Sequence, residues 1–262
     1  MKVAILCGGL GTRIRDVAAD VPKPMVQIGS RPVLWHVMKS YATRGFSEFV
    51  LCLGHRGQVI KDYFLSYEAH TSDFTLVLGA RGQVTYHNAH DEADWRITFA
   101  ETGLDAMTGA RVARVRRYLG EQTFMLTYGD GVSDVDLGAL VAFHRAHGKA
   151  VTVTGVRPPG RFGEIETAPD GVVRAFNEKP NASGGRISGG FFVCEPRLFD
   201  YLDERASCVL EAEPMSRLVA DGQLVMYPHD GFWQCMDTYR DWKLLDGLLQ
   251  SGDAPWVTWS AR

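Results

Sequence analysis

The sequence predicts an α/β fold, and three observations carry that prediction. Short apolar runs alternate with segments whose apolar residues recur at helical spacing. A glycine-rich loop, Cys7-Gly8-Gly9-Leu10-Gly11-Thr12-Arg13, follows directly on the first apolar run, Val3 to Leu6. An aspartate, Asp130, stands between two glycines where a later run, Phe124 to Tyr128, stops. In open α/β sheets the loops beyond the carboxyl ends of the strands hold ligands, so both features fall where chemistry is expected.

In chain order, Pro32–Thr43 reads as a helix: Leu34, Val37, Met38 and Tyr41 share a face, with Pro32 at its start and Gly45 past its end. His36 on it reads as structural. Phe49–Leu53 reads as a strand and Gln58–Tyr67 as a helix. From Phe74 to Ala100 short runs around Gly79-Ala80-Arg81-Gly82, with Trp95, Ile97 and Phe99 alternating, predict an antiparallel insertion. Met107-Thr108-Gly109 leads into a helix over Ala110–Leu119. Its amino end would direct N–H groups at an anion, with Arg111 adding charge.

Leu137–His147 reads as a helix stopped by Gly148, and Ala150–Val156 as a strand. A hairpin turns at Asp170-Gly171, and Pro180 leaves Glu178 and Lys179 at a strand end. Ser188-Gly189-Gly190 opens a strand and gives a ligand close access to the backbone. Helices near Pro196–Leu202 and Glu211–Ala220 precede strands Leu224–Tyr227 and Phe232–Met236, after which Asp237 ends its strand as Asp130 does. Thr238–Leu249 is an amphipathic helix, and Trp256 and Trp259 sit in a tail read as a surface for a neighbour.

Composition excludes several classes. Twenty-eight cationic residues against 31 acidic ones, without a basic cluster, exclude a nucleic-acid partner. No apolar run reaches the length of a membrane span, so a cytoplasmic location is expected. Five cysteines without CxxC spacing predict reduced, mostly buried thiols. His144 and His147 fall at helical spacing without a third ligand and read as a solvated face.

Three glycines beside Arg13 and Lys23 suggest a phosphate cradle: glycine lets backbone N–H groups approach an anion, and the two cations attract it. The loop lacks the Gly-Lys-Ser/Thr of a P-loop, and Ile14 stands where the dinucleotide fingerprint needs a small residue. GGLGTR followed by Pro22-Lys23-Pro24-Met25 resembles the signature of the sugar-1-phosphate nucleotidyltransferases. The segments Met107–Arg111, Thr127–Gly131, Pro158–Gly163, Glu178–Pro180, Gly189–Phe192 and Phe232–Thr238 are similar to the branch that joins CTP to glucose 1-phosphate.

The resemblance implies a Rossmann-like three-layer sandwich with a mixed, mostly parallel central sheet, of the nucleotide-diphospho-sugar transferase type. It implies one nucleotidyltransferase domain over 1–262, with 1–135 mainly nucleotide-binding, 136–240 mainly sugar-phosphate-binding and 241–262 a C-terminal extension. CTP would contact Leu6, Gly8, Gly9, Gly11, Thr12, Arg13, Lys23, Arg111, Tyr128 and Gly129. Glucose 1-phosphate would contact Glu178, Lys179, Ser188 and Gly189. Arg13, Lys23 and Lys179 would be the catalytic cations, and Asp130 and Asp237 would hold Mg²⁺. A homo-oligomer, dimer to hexamer, is implied too. The family has Ala where Cys7 stands, and the branch has Asn where Ser188 stands. Three alternatives stay open: dTTP or UTP as nucleotide, another sugar 1-phosphate, and a non-catalytic nucleotide-sugar sensor.

Overall fold

The computed structural model describes residues 1–9, 21–79, 82–88, 90–158, 164–167, 173–177 and 185–259, the strands at 164–167 and 173–177 as backbone only. β1 (Lys2–Leu6) is followed by a 3-10 turn at Lys23–Met25, the short hairpin β2 (Gln27–Ile28) and β3 (Arg31–Pro32), and α1 (Val33–Ala42). Next come β4 (Glu48–Leu53), α2 (Gly57–Leu65), α3 (Tyr67–Thr71), the hairpin β5 (Phe74–Leu76) with β6 (Val84–Tyr86), and β7 (Arg96–Glu101). The middle of the chain forms α4 (Thr108–Arg114), α5 (Arg116–Leu119), β8 (Phe124–Tyr128), β9 (Gly131–Ser133), α6 (Leu137–His147) and β10 (Val151–Val156). The rest is β11 (Glu164–Thr167), β12 (Val173–Asn177), β13 (Ile187–Cys194), a 3-10 turn at Pro196–Tyr201, α7 (Glu213–Ala220), β14 (Leu224–His229), β15 (Trp233–Cys235) and α8 (Tyr239–Ser251).

Seven strands form the central sheet in the order β14-β10-β13-β8-β1-β4-β7. β13 runs antiparallel to both its neighbours, and every other pairing is parallel. The carboxyl ends of β1, β8, β10 and β14 therefore lie at one edge, together with the amino end of β13. That edge collects the Gly8-Gly9 loop, the Asp130 turn and Ser188-Gly189.

Alternating side chains of each strand go to opposite faces, and each face has its own core. Val3, Ile5, Phe49, Leu51, Met125 and Phe191 pack against Leu34, Val37, Met38 and Tyr41 of α1 and Leu137 and Leu140 of α6. Ala4, Leu6, Val50, Cys52, Leu126 and Phe192 pack against Val112 of α4, Leu119, Leu198 and Leu218. Each large side chain taken out of water this way contributes roughly 1.5–3 kcal/mol. The α/β fold expected from the alternation, and the mixed, mostly parallel central sheet implied by the resemblance, are what form. α6 ends as its sequence dictates: the Asp136 carboxylate accepts from the N–H groups of Gly138 and Ala139, and Gly148 closes the helix at φ +63°.

Four expectations are corrected. The antiparallel insertion is confined to β5 and β6; Arg96–Glu101 pairs parallel with β4 and belongs to the main sheet. Its one-sided alternation marks an edge strand whose covered face carries Trp95, Ile97 and Phe99 onto the core. The strand expected over Phe232–Met236 is shorter, Trp233–Cys235, and pairs with β9. Trp256 is fully buried against His36 and Phe232, so the tail packs on its own core. His144 is buried, its Nδ1 lying 2.7 Å from Thr152 Oγ1 and its Nε2 3.1 Å from Glu195 Oε1, because α6 turns that face onto β10.

Candidate active site

The site is assembled by two short strands outside the main sheet. β9 begins one residue after Asp130, and β15 ends two residues before Asp237. Their antiparallel register, Gly131 opposite Cys235, brings the two aspartates to the same place. The Met236 N–H donates to the Asp130 carbonyl at 2.9 Å and locks the juxtaposition. On the far side Asp237 is fixed by α8, where Asp241 Oδ2 accepts from the N–H groups of Asp237 and Thr238 and Thr238 caps the helix.

Lys23 closes the gap. Its 3-10 turn is set by Pro22 and Pro24, and its ammonium donates to Asp130 Oδ2 at 2.5 Å and to Asp237 Oδ1. Burial opposes the charge, yet the Asp130 and Asp237 carboxylates outweigh it and hold the ammonium above its ordinary pKa. Gly129 packs closely here: a Cβ would stand 3.2 Å from both Cys7 Sγ and the Leu6 carbonyl and 3.3 Å from Pro24. Burial pushes the Cys7 thiol well up, which keeps it protonated.

Beside this centre lies a cleft of about 230 Å³ lined by Leu6, Gly8, Gly9, Lys23, Thr108, Arg111, Tyr128 and Asp130, among others. Seven residues expected to contact the nucleotide or the metal thus come together in one hollow. Arg111 contributes differently from expectation. Its guanidinium is buried and donates to the carbonyls of Leu53, Gly103, Gly8 and Leu104 and to Thr102 Oγ1. It lies in a slot that exists only because residues 8 and 54 lack side chains; a Cβ on either would stand within 2.5 Å of it. At the amino end of α4 the Ala110 N–H donates to the Cys208 carbonyl and the Met107 N–H to that of Ala206. The residues 206–210 that cover it are distant in sequence.

On the sugar side Ser188 is exposed and Gly189 is buried. The Gly189 carbonyl already accepts from Trp233 Nε1 at 2.7 Å, so it shapes that wall as a fixed point. Sequence reasoning missed Trp233 as an individual residue, although it lies within the Phe232–Thr238 segment. It also missed Glu211, which accepts hydrogen bonds from Thr108 and Tyr128 and belongs to no motif. Gly11, Thr12, Arg13, Glu178 and Lys179 lie outside the described residues. Among the described residues no group of three or more His, Cys, Asp or Glu side chains is set to hold a metal.

The nucleotidyl transferase family model matches residues 2–239. The chain is 46% identical over 260 residues to the glucose-1-phosphate cytidylyltransferase of Salmonella typhimurium, covering 99% of this chain and 100% of the relative. It is 42% identical, with the same coverage, to a probable glucose-1-phosphate cytidylyltransferase of Bacillus subtilis. A crystal structure of a putative glucose-1-phosphate thymidylyltransferase from Bacillus anthracis superposes with a TM-score of 0.70 at 16% identity, over 100% of this chain and 98% of that one, which bears on the fold alone. The chain belongs to the nucleotidyl transferase family, among the glucose-1-phosphate cytidylyltransferases.

Proposed function

We propose that the protein transfers a cytidylyl group from CTP to α-D-glucose 1-phosphate, giving CDP-glucose and pyrophosphate. The observation that carries the reading is Lys23 held between Asp130 and Asp237 at the mouth of a glycine-floored cleft. Relatives of that named activity, 46% and 42% identical over the whole chain, support the substrates.

A phosphate oxygen of the sugar phosphate attacks the α-phosphorus of CTP. One P–O bond forms as the bond to the β-phosphate oxygen breaks, and pyrophosphate carries the electron pair away. Both reactants are anions, so the protein's task is alignment and charge neutralisation. The open backbone at Gly8 and Gly9 admits the triphosphate, and Lys23 reaches the α-phosphate from the wall. By resemblance Arg13 holds the departing pyrophosphate, Lys179 the sugar phosphate and Glu178 the sugar hydroxyls.

Asp130 and Asp237 fit a divalent cation, since two hard oxygen donors already converge on one positively charged atom. When bound there, Mg²⁺ supplies Lewis-acid neutralisation of phosphate oxygens. The Lys23 ammonium, beside both carboxylates, would add its own positive charge next to the phosphates.

In this reading 1–135 is mainly the nucleotide-binding part, 136–240 mainly the sugar-phosphate-binding part and 241–262 a C-terminal extension. A cytoplasmic location belongs to this reading; among the described residues no helix is long and apolar enough to cross a membrane. So does a homo-oligomer, dimer to hexamer, which the exposed side chains of Phe74, Leu76 and Leu78 on and beside β5 support and light scattering tests.

The test is pyrophosphate release with glucose 1-phosphate and Mg²⁺, run in parallel with CTP, UTP, dTTP and ATP and repeated with Asp237→Ala. Release with CTP, abolished by the substitution, is the expected result. Release with another nucleotide moves the base assignment, and release only with another sugar 1-phosphate moves the sugar.

A further inference from the structure

The two walls of the cleft come from distant parts of the chain. Thr108, the first residue of α4, and Tyr128, the last residue of β8, both line the cleft. The Tyr128 ring lies against Gly190, where a Cβ would stand 2.4 Å from its Cδ2, and Gly190 at φ +77° is adjacent to Gly189. The ring is therefore in contact with the strand that presents Ser188 and Gly189.

One carboxylate ties these pieces together. Glu211 Oε2 accepts from Thr108 Oγ1 at 2.6 Å, and Glu211 Oε1 accepts from the Tyr128 hydroxyl. Thr108 Oγ1 in turn accepts from the Leu210 N–H at 3.0 Å, which fixes the segment bearing the carboxylate. Each of the two bonds has a charged acceptor, the class whose loss is felt most.

We propose that Glu211 is a positioning residue that holds the nucleotide wall and the sugar wall of the cleft in register, through Thr108 on one side and Tyr128 on the other. It rests on the cytidylyltransferase reading. Glu211 orients the two hydroxyl-bearing residues, and through the Tyr128 ring it sets where the Gly189-Gly190 backbone stands relative to Thr108.

The experiment is a double-mutant cycle with Glu211→Gln and Tyr128→Phe, measuring kcat and KM separately for CTP and glucose 1-phosphate. Glu211→Gln is expected to raise both KM values about tenfold, with kcat changed by less than about threefold, the signature of lost binding geometry. Tyr128→Phe breaks the same link, so the double variant should match either single one. Unchanged KM values in Glu211→Gln, or effects that multiply in the double variant, overturn the proposal. Should Glu211→Gln fail to fold, Thr108→Val and Tyr128→Phe interrogate the same tie from its two ends. CTP affinity by calorimetry, wild type against Glu211→Gln, separates the two readings. A wild type that binds CTP without turnover sinks the reaction but leaves the tie decided by affinity, and a wild type that does neither sinks both.

Discussion

The Lys23 ammonium lies 2.5 Å from Asp130 Oδ2 although the two residues are 107 apart in sequence, and the same nitrogen donates to Asp237. One side chain thus reports where three elements converge: the 3-10 turn after the glycine loop, the end of β8 and the end of β15. A cation at this point balances two carboxylates.

Lys23→Ala removes the cation and leaves the carboxylates. Both are about a quarter to a third exposed, so water screens their mutual repulsion and the fold should survive. Turnover is expected to fall roughly a hundred- to a thousandfold, the typical effect of losing one preorganised electrostatic donor. Circular dichroism and pyrophosphate release on the same preparation check both halves.

Trp233→Phe keeps the ring and deletes the N–H that fixes the Gly189 carbonyl at 2.7 Å. A neutral hydrogen bond of this kind is worth about 1 kcal/mol, so KM for glucose 1-phosphate should rise about fivefold while KM for CTP holds. Equal changes in both constants would show that Trp233 supports the cleft as a whole.

The sequence carried the helices well, because their signals are local. Leu137–His147 was bounded by an apolar face and Gly148, and the structure ends the helix there. Asp130 and Asp237 were each legible as carboxylates at strand ends. Their convergence was legible only through the family resemblance, since it depends on β9 pairing with β15 across about a hundred residues. Periodicity tells which side of an element is apolar without naming what covers it. For that reason the tail bearing Trp256 read as an interface and His144 as a solvated side chain, when each has its partners within the chain. Glu211 left no trace because its role is defined wholly by hydroxyls 103 and 83 residues away.

Arg111→Lys tests the buried guanidinium. Five oxygens accept from its planar fork, and a lysine ammonium has three donors on a flexible stem. The Gly103 and Leu104 carbonyls would lose the guanidinium donor in a site water reaches poorly, while Leu53 keeps the Thr102 N–H and hydroxyl and Gly8 keeps the His55 N–H. The expected loss is about 2–3 kcal/mol in denaturant midpoint experiments, with an unchanged m-value. Lysine as stable as arginine would show that the slot between Gly8 and Gly54 has other support.

His36 makes stability depend on pH. Its Nε2 lies 3.1 Å from the Ile28 carbonyl and its Nδ1 accepts from Trp256 Nε1 at 3.4 Å, so the neutral ring with its proton on Nε2 satisfies both contacts. A second proton would set Nδ1–H against the indole N–H. Burial lowers the pKa to about 4 from an ordinary 6.5. The unfolded chain therefore binds a proton that the folded chain refuses, and unfolding free energy rises with pH through this window. The contribution is fully present above pH 6.5, falls away as pH drops towards 4, and amounts to about 3 kcal/mol. Urea titrations between pH 4 and 7 should show that loss in the wild type. In His36→Gln, where one amide replaces the ring and nothing titrates, the slope over the same window should be shallower by a similar amount. Parallel slopes for the two proteins would assign the acid sensitivity to other groups.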